Sequence, residues 1–573
     1  MPSGGDAICT ALERCGVQHV FGLPGTQNIG LFDGLRRSRI RTILATHELA
    51  AAFMANGYYR SSGRVGVLVT IGGPGLAYTV AGIAEAAQDS SALLHITVLP
   101  PNNPRRKFDF QAIDQHAIMA PLVKRIIDVT HGREVAAAIS EGFRETTRGE
   151  PGPVLVQVDH DVLSAEVDTS GTDRVEPQLA AEKLEQEKLQ EIVTLLQASR
   201  RALVFAGQGA HGAAQQLLRL AELLGAPVVT TRSGRGIVPE DHALSFVFDV
   251  SDAGAKGINA LLDRSDLILA IGCKLSHNGT YGFRLRLQKE KLIHCDAAES
   301  VLNANYAARV VCCADSRVLL AALLDSQNSF KTRVASWNAD ELASFRRLAD
   351  EAKTTAEPAI HGVKPRTPAA FFAALRAALP GNTCLVTDSG LHQVLAVRHF
   401  RVDHPRGLLI PSDFQSMGFG LPAGIGAKLA NPERVVTVLI GDGGLAMSGM
   451  ELLTIVREQI PLIVIVFNDG ALGQIRLQQH STFGFDHATS LVTPDLGVLA
   501  HSMGLAYRSI DNDVDVVLAE ALRSNAPMLL EVKVGDSNAV RRERAKGIVR
   551  GVARRLMKPT LRNRIKAWLG LCL

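Results

Sequence analysis

Aromatic residues are sparse in this 573-residue chain, 5% of the total with two tryptophans, although the apolar fraction of 46% is that of a soluble globular protein. The eight cysteines (Cys9, Cys15, Cys273, Cys295, Cys312, Cys313, Cys384, Cys572) have no CxxC spacing and are too few for a disulfide scaffold. They fit a reducing, cytoplasmic setting. No uncharged run is long enough to span a bilayer, which excludes a transmembrane helix. The first residues, MPSGGDAICTALERCGV, place charges inside the apolar stretch and carry no cleavage pattern, so no signal peptide is expected. The Gly72-Gly73-Pro74-Gly75 turn lacks GxGxxG spacing and a P-loop lysine, which leaves a dinucleotide-dependent oxidoreductase a remote alternative.

The formal charge of +4 is unevenly spread. Residues 541–566 hold eleven Lys/Arg against one acid, a local +10 that leaves −6 elsewhere. The body is therefore mildly acidic and not expected to bind nucleic acid. The tail interleaves its cations with Ile548, Val552, Leu556, Leu561, Ile565, Trp568 and Leu569 around Pro559, a pattern for two short basic amphipathic helices. Its expected partner is an anionic membrane surface or an acidic protein, bound weakly.

What is present is a repeated alternation of short apolar strands and helical stretches, so the fold class is α/β with parallel sheets. Length and composition shifts divide it into residues 1–165, 186–327 and 366–535, with the tail at 536–573. Residues 166–185 are a polar linker, and 328–365 read as a charged helical connector.

The stretch from Gly441 to Gly470, GDGGLAMSGMELLTIVREQIPLIVIVFNDG, organises the chain. The apolar run Val435–Ile440 stops at Gly441-Asp442-Gly443-Gly444. A helix is expected over about 448–458, and a second strand, Leu462–Phe467, ends at Asn468-Asp469-Gly470. In a right-handed βαβ crossover both strand ends open on one sheet edge, so Asp442 and Asn468 can converge. A carboxylate, an amide oxygen and a backbone carbonyl suit Mg²⁺, and the glycines beside Asp442 admit phosphates to the backbone.

A GDG followed by an Asn on a second buried strand resembles the motif of thiamine-diphosphate (ThDP) enzymes, in the acetolactate synthase and 2-oxo-acid decarboxylase superfamily. The resemblance runs over about 535 residues. It implies three Rossmann-like domains, for the pyrimidine, for a central role and for the diphosphate. It also implies Asp442, Asn468 and the Gly470 carbonyl as Mg²⁺ ligands, and ThDP held at Gly441, Asp442, Gly443 and Gly444. His392 and Gln393, in a Gly-x-His-Gln-like turn, would face the diphosphate. SMGFGLPAGIGAKLA, from Ser416, is similar to acetolactate synthase-like chains and implies Met417 as the wedge under the cofactor and the Gln415 carbonyl as acceptor from its 4′-amino group.

The same resemblance implies a glutamate in a His-Glu pair after a strand. Here this is Glu48, after Thr46 as expected helix cap, walled by Ala, Phe and Met and therefore expected to hold a proton for N1′ of the aminopyrimidine. Gly73 and Pro74 match the Gly-Pro-Gly turn beside the cofactor, with Tyr78 where Asn is frequent. Phe110, Gln111 and Lys124 match the Phe-Gln and Lys of acetolactate synthase-like chains, with Gln111 at the reacting centre, and Thr26 and Gln27 would line the substrate pocket. The helix after Gly470 departs from acetolactate synthase. It has Gln474, Ile475 and Gln478 where Met-Val and, three residues on, Trp stand, with Arg476 between, which implies a more polar substrate pocket in which Gln474 or Arg476 would meet a polar substrate tail.

The implied activity is decarboxylation of a 2-oxo acid followed by carboligation to a second carbonyl, with release of an aldehyde as the alternative. A catalytically silent relative is opposed by Glu48, Asp442 and Asn468. The implied assembly is a homodimer or homotetramer with its site between subunits. FAD in the central domain is an allowed but not favoured cofactor, and His277, His294, Cys295, Cys312 and Cys313 are read as structural.

Overall fold

The computed structural model describes residues 2–101, 109–167, 184–247, 252–330, 334–350, 357–511, 513–536, 540 and 545–548. Most of the expected linker and all of the basic tail beyond 548 lie outside the described residues.

Three sheets succeed one another along the chain. The first contains β1 (His19–Gly22), β2 (Arg41–Leu44), β3 (Gly66–Ile71), β4 (Leu93–Val98), β5 (Arg125–Val129) and β6 (Pro153–Val158) in the order β2-β1-β3-β4-β6-β5, every pair parallel. The second contains β7 (Ala202–Ala206), β8 (Val228–Thr230), β9 (Ser245–Val247), β10 (Leu267–Ile271), β11 (Leu292–Asp296) and β12 (Val310–Cys313), in the order β12-β11-β10-β7-β8-β9, also parallel. The third contains β13 (Ala359–Ile360), β14 (Cys384–Thr387), β15 (Leu408–Leu409), β16 (Val436–Gly441), β17 (Ile463–Asn468), β18 (Ala506–Ser509) and β19 (Met528–Gly535). Its order is β13-β19-β17-β16-β14-β15, with β18 also on β19; β13 is antiparallel to β19 and the rest are parallel. Strands such as β4 and β6 are buried at every position, because helices cover both faces and no residue has a wet side.

Two local readings change. The expected helix over about 448–458 is two helices, Asp442–Ser448 and Glu451–Arg457, so the helix begins at Asp442 itself. The connector after 328 is partly core: Leu342 and Phe345 of the Ala339–Asp350 helix pack with Leu203 and Phe205, and Trp337 Nε1 donates to the Ala202 carbonyl at 2.9 Å. Its charged composition hid an amphipathic face.

The first and third sheets share one core. The Glu48–Ser62 helix crosses the Gly420–Ala430 helix so closely that a Cβ at Gly57 would collide with the Ala423 backbone, and one at Gly426 with the Met54 backbone. Phe53 and Phe419 meet edge to face beside this crossing at 5.4 Å. The glycines let the two helix backbones approach closely at these points, which ties the Glu48 region to the third sheet of the same chain.

Candidate active site

The register of β16 on β17 pairs Gly441 with Phe467, so Asp442 and Asn468 leave neighbouring strands at the same level. Asp442 Oδ1 accepts from the Gly443 amide at 2.9 Å and Oδ2 from the Thr493 hydroxyl at 3.0 Å. Burial pushes its carboxyl up, against the Thr493 hydroxyl and the Gly443, Gly470 and Ala471 amides, which favour the ionised form. Asp469 beside it is pushed up to about 6 by burial and by the Asp442 charge. Two carboxyls facing each other this way gain from a cation between or near them.

Asn468 is oriented from behind. Its Nδ2 donates to Glu531 Oε1 at 2.8 Å, and Tyr507 OH donates to Glu531 Oε2 at 2.5 Å. The Asn468 Oδ1 is thereby turned forward, with only the Gly470 amide at 3.3 Å upon it. The Gly470 carbonyl, at a residue of φ +62°, accepts from Leu491 N at 2.9 Å and keeps a second lone pair. Carboxylate, amide and carbonyl oxygens form a donor set that fits Mg²⁺. Among the described residues no group of three His, Cys, Asp or Glu side chains could hold a metal, so this mixed set is the candidate.

A cavity of about 680 Å³ opens on these strand ends. Gly441, Asp442, Gly443, Gly444, His392, Gln393, Gln415 and Met417 line it on one side, and Gln474 with Ile475 of the Gly473–Phe483 helix on another. Its remaining wall comes from the central domain, with His277, Tyr281 and Arg284. His277 is thus a wall residue of this cavity, not a purely structural histidine; nothing local in the sequence marks it, because it arrives from another domain. Burial pulls His392 down to about 4, so its imidazole is neutral, and its Nε2 is buried without a hydrogen-bond partner. Such an atom suits a ligand group. Gln393 instead gives its amide to the Pro411 carbonyl at 2.9 Å.

Met417 is half-buried in the turn before the Gly420–Ala430 helix, its Cε 3.5 Å from where a Cβ at Gly443 would stand. Gln415 is left-handed at φ +64°. Asp388 fastens this turn, accepting from Ser389 N at 2.6 Å, Gly418 N at 3.0 Å and Gly420 N at 3.1 Å. Complete burial pushes the Asp388 carboxyl up to about 7 against those three amides. Asp388, Glu531, Tyr507 and Thr493 carry no motif, and no local pattern marks their support.

The N-terminal residues gather elsewhere. Gln27 Nε2 meets Gln111 Oε1, and Gly73 lies so close to Gln111 that a Cβ would strike its carbonyl, while Gly73 N donates to Gln115 Oε1 at 3.1 Å. Pro74 begins the Pro74–Gln88 helix, and Glu48 Oε1 stands 3.5 Å from a Cβ position at Gly75. Glu48, Gln27, Gln111, Gly73 and Pro74 thus belong to one neighbourhood, yet none lines the 680 Å³ cavity. The helix cap is His47, whose Nδ1 accepts from Leu49 N at 3.1 Å, and not Thr46. Thr46 is drawn away by Glu451, which accepts its amide at 2.9 Å and its hydroxyl at 2.5 Å. Glu48 is only half-buried in a single chain, so the apolar enclosure expected around it is incomplete there. Beside it Tyr78, whose ring packs on His47 at 4.9 Å, is exposed.

Other expected substrate residues do not line the 680 Å³ cavity of this chain. Lys124 Nζ donates to the Glu145 and Arg148 carbonyls at 2.6 and 2.5 Å, closing the end of the Val135–Thr147 helix, and burial lowers it to about 8. Phe110, Thr26 and Gln478 are exposed, and Arg476 turns to Ser490 Oγ at 3.2 Å and Asp486 at 3.6 Å. In the central domain, a second cavity of about 590 Å³ reaches to Gln88 and Asp89 of the first. Gly207 and Gly272 at its floor are glycines because their backbones touch. His294 Nε2 pairs with the Cys273 carbonyl at 2.8 Å, and buried Cys295 and Cys312 are neighbours across β11 and β12, a packing role.

Comparison with known families matches the N-terminal TPP binding domain of thiamine pyrophosphate enzymes at residues 2–118, their central domain at 189–323 and their C-terminal TPP binding domain at 388–532. The chain is 32% identical over 557 residues to the probable acetolactate synthase large subunit of Methanocaldococcus jannaschii, covering 94% of this chain and 93% of that one. It is 30% identical over 552 residues to the acetolactate synthase large subunit of Lactococcus lactis, with 94% and 93% covered. With the isozyme 1 large subunit of Escherichia coli it shares 29% over 537 residues, covering 93% and 94%.

Proposed function

The chain belongs to the thiamine pyrophosphate enzymes, beside the acetolactate synthase large subunits, and from that membership we propose that it decarboxylates a 2-oxo acid and joins the remaining fragment to a second carbonyl compound, using ThDP and Mg²⁺. The observation that supports the reading is the paired strand end, Asp442 beside Asn468, with Glu531 holding the Asn468 Nδ2 and leaving its Oδ1 to act as a ligand.

ThDP, when bound, supplies the carbon nucleophile and the electron sink for loss of CO₂. Asp442, Asn468 and the Gly470 carbonyl hold Mg²⁺, whose remaining positions suit water and diphosphate oxygens. Neutral His392 offers its unsatisfied ring nitrogen to the diphosphate. Met417 and the Gln415 carbonyl, both at the cavity, would support the bound cofactor and accept from its amino group. Glu48 holds the proton exchanged at the aminopyrimidine N1′. Gln111, paired with Gln27, places an amide at the reacting carbonyl, and Gln474 gives the cavity the polar lining that suits a polar substrate tail.

Glu48 and the diphosphate cavity lie apart in one chain, and an exposed apolar patch that includes Tyr78, packed on His47, adjoins Glu48. This supports a homo-oligomer, a dimer or a tetramer, in which one subunit's Glu48 completes its partner's cavity, burying that patch as well. Among the described residues no helix is long and apolar enough to cross a membrane, and the seven described cysteines are all free, which supports a cytoplasmic setting.

The test is to incubate the protein, ThDP and Mg²⁺ with a panel of 2-oxo acids, following CO₂ and identifying the organic product. A 2-hydroxy ketone product supports carboligation, an aldehyde supports simple decarboxylation, and no ThDP-dependent CO₂ from any acid rejects both.

A further inference from the structure

Glu85 lies three turns along the Pro74–Gln88 helix and is fully buried. Its Oε2 accepts the Ser416 backbone N–H at 2.9 Å, across the boundary between the first and third domains. Its Oε1 and the Ser416 hydroxyl are both buried without a hydrogen-bond partner. Among the described residues no cation pairs with Glu85, whereas Asp89, one turn on, is paired with Arg60 at 2.6 Å. Burial and the Asp89 charge push the Glu85 carboxyl up to about 8, so at neutral pH it is an uncharged acid that still accepts through one oxygen.

Ser416 stands between Gln415 and Met417. Gln415 is left-handed at φ +64° and Gly418 at +81°, and a residue with a side chain keeps that conformation only where its surroundings impose it. Three carboxyl groups do so. Asp89 accepts the Ser412 hydroxyl at 2.5 Å, Asp388 accepts the Gly418 and Gly420 amides, and Glu85 takes the amide in the middle. Of the three, Glu85 alone bonds inside the Gln415–Met417 segment.

We propose that Glu85 is a positioning residue that sets the Gln415–Met417 turn against the aminopyrimidine end of the cofactor, acting within its own chain. The proposal rests on the ThDP reading given above. It makes the N-terminal domain contribute to the cofactor site twice, once through Glu48 and once, from behind, through Glu85.

The test compares full-length Glu85→Ala, Glu85→Asp and Glu85→Gln with wild type for ThDP half-saturation, kcat and KM of an accepted 2-oxo acid, and the near-ultraviolet circular dichroism of bound ThDP. Alanine removes the acceptor, aspartate withdraws it by one methylene, and glutamine keeps an oxygen in place. We expect Glu85→Ala and Glu85→Asp to lose about tenfold in kcat or more and to raise ThDP half-saturation, with substrate KM within about twofold, while Glu85→Gln stays within about threefold of wild type throughout. If Glu85→Ala does not fold, the Asp and Gln variants make the same comparison. Wild-type ThDP half-saturation and turnover in Glu85→Asp, or equal loss in all variants, overturns the proposal alone. A wild-type chain that retains no ThDP overturns the functional reading and this proposal with it.

Discussion

Thr46 and Glu451, 405 residues apart, are joined by two hydrogen bonds: both the amide and the hydroxyl of Thr46 are given to Glu451 Oε1. Glu451 is 1% exposed and its other oxygen takes the Thr454 hydroxyl at 2.7 Å. The turn that presents Glu48 is thus fixed by the third domain. Glu451→Ala removes the acceptor of three hydrogen bonds, one from the buried Thr454 hydroxyl and two from the exposed Thr46, and the expected loss is about 1–3 kcal/mol of stability by urea unfolding. Turnover should fall with it more than substrate KM changes, and an unchanged urea midpoint would show that the clasp carries no stability.

Glu48→Gln should keep the fold and ThDP binding and lose most turnover, on the order of 10²-fold, because only proton exchange is removed. Single-turnover rates with saturating ThDP check it. Rates close to wild type would reject the role of Glu48.

Asp442→Ala should abolish Mg²⁺-dependent retention of ThDP, since the one carboxylate of a three-oxygen set disappears. The measurement is ThDP content after desalting with and without Mg²⁺. Full occupancy in the variant would count against the metal site.

Mixing the inactive Glu48→Gln and Asp442→Ala chains should restore part of the activity, up to about a quarter of wild type if subunits exchange at random into dimers, half of them hybrids with one intact site of two. Demonstrated exchange without recovery would mean that each chain builds its own site.

Stability should fall with rising pH through the neutral range. Glu85 moves from an ordinary 4.5 to about 8 in the fold and Asp388 from 3.8 to about 7, so the folded state binds more protons than the unfolded one between those limits. The contribution is intact below the ordinary values and is lost as pH climbs to the folded ones. Glu85→Gln should flatten the slope, gaining on the order of 1–3 kcal/mol relative to wild type at pH 8. Parallel unfolding curves of the two proteins from pH 5 to pH 8.5 would show that Glu85 does not titrate in this way.

The βαβ unit at Gly441–Gly470 was legible from the sequence because burial on both faces leaves a continuous apolar strand, and because the polar tripeptides at the two strand ends must emerge on one edge. So was the α/β class, which rests on local strand–turn–helix grammar. Tertiary structure decided the rest. That Asn468 faces forward depends on Glu531 and Tyr507, that the Met417 turn is left-handed depends on Asp388 and Glu85, and that Thr46 is no helix cap depends on Glu451. Each is a hydrogen bond between residues tens to hundreds apart. No local pattern encodes such contacts: Glu531, Tyr507 and Asp388 meet their partners only once the third sheet has formed, and Glu85 and Glu451 meet theirs only once the first and third domains have closed on the Gly57 and Gly426 helix crossing.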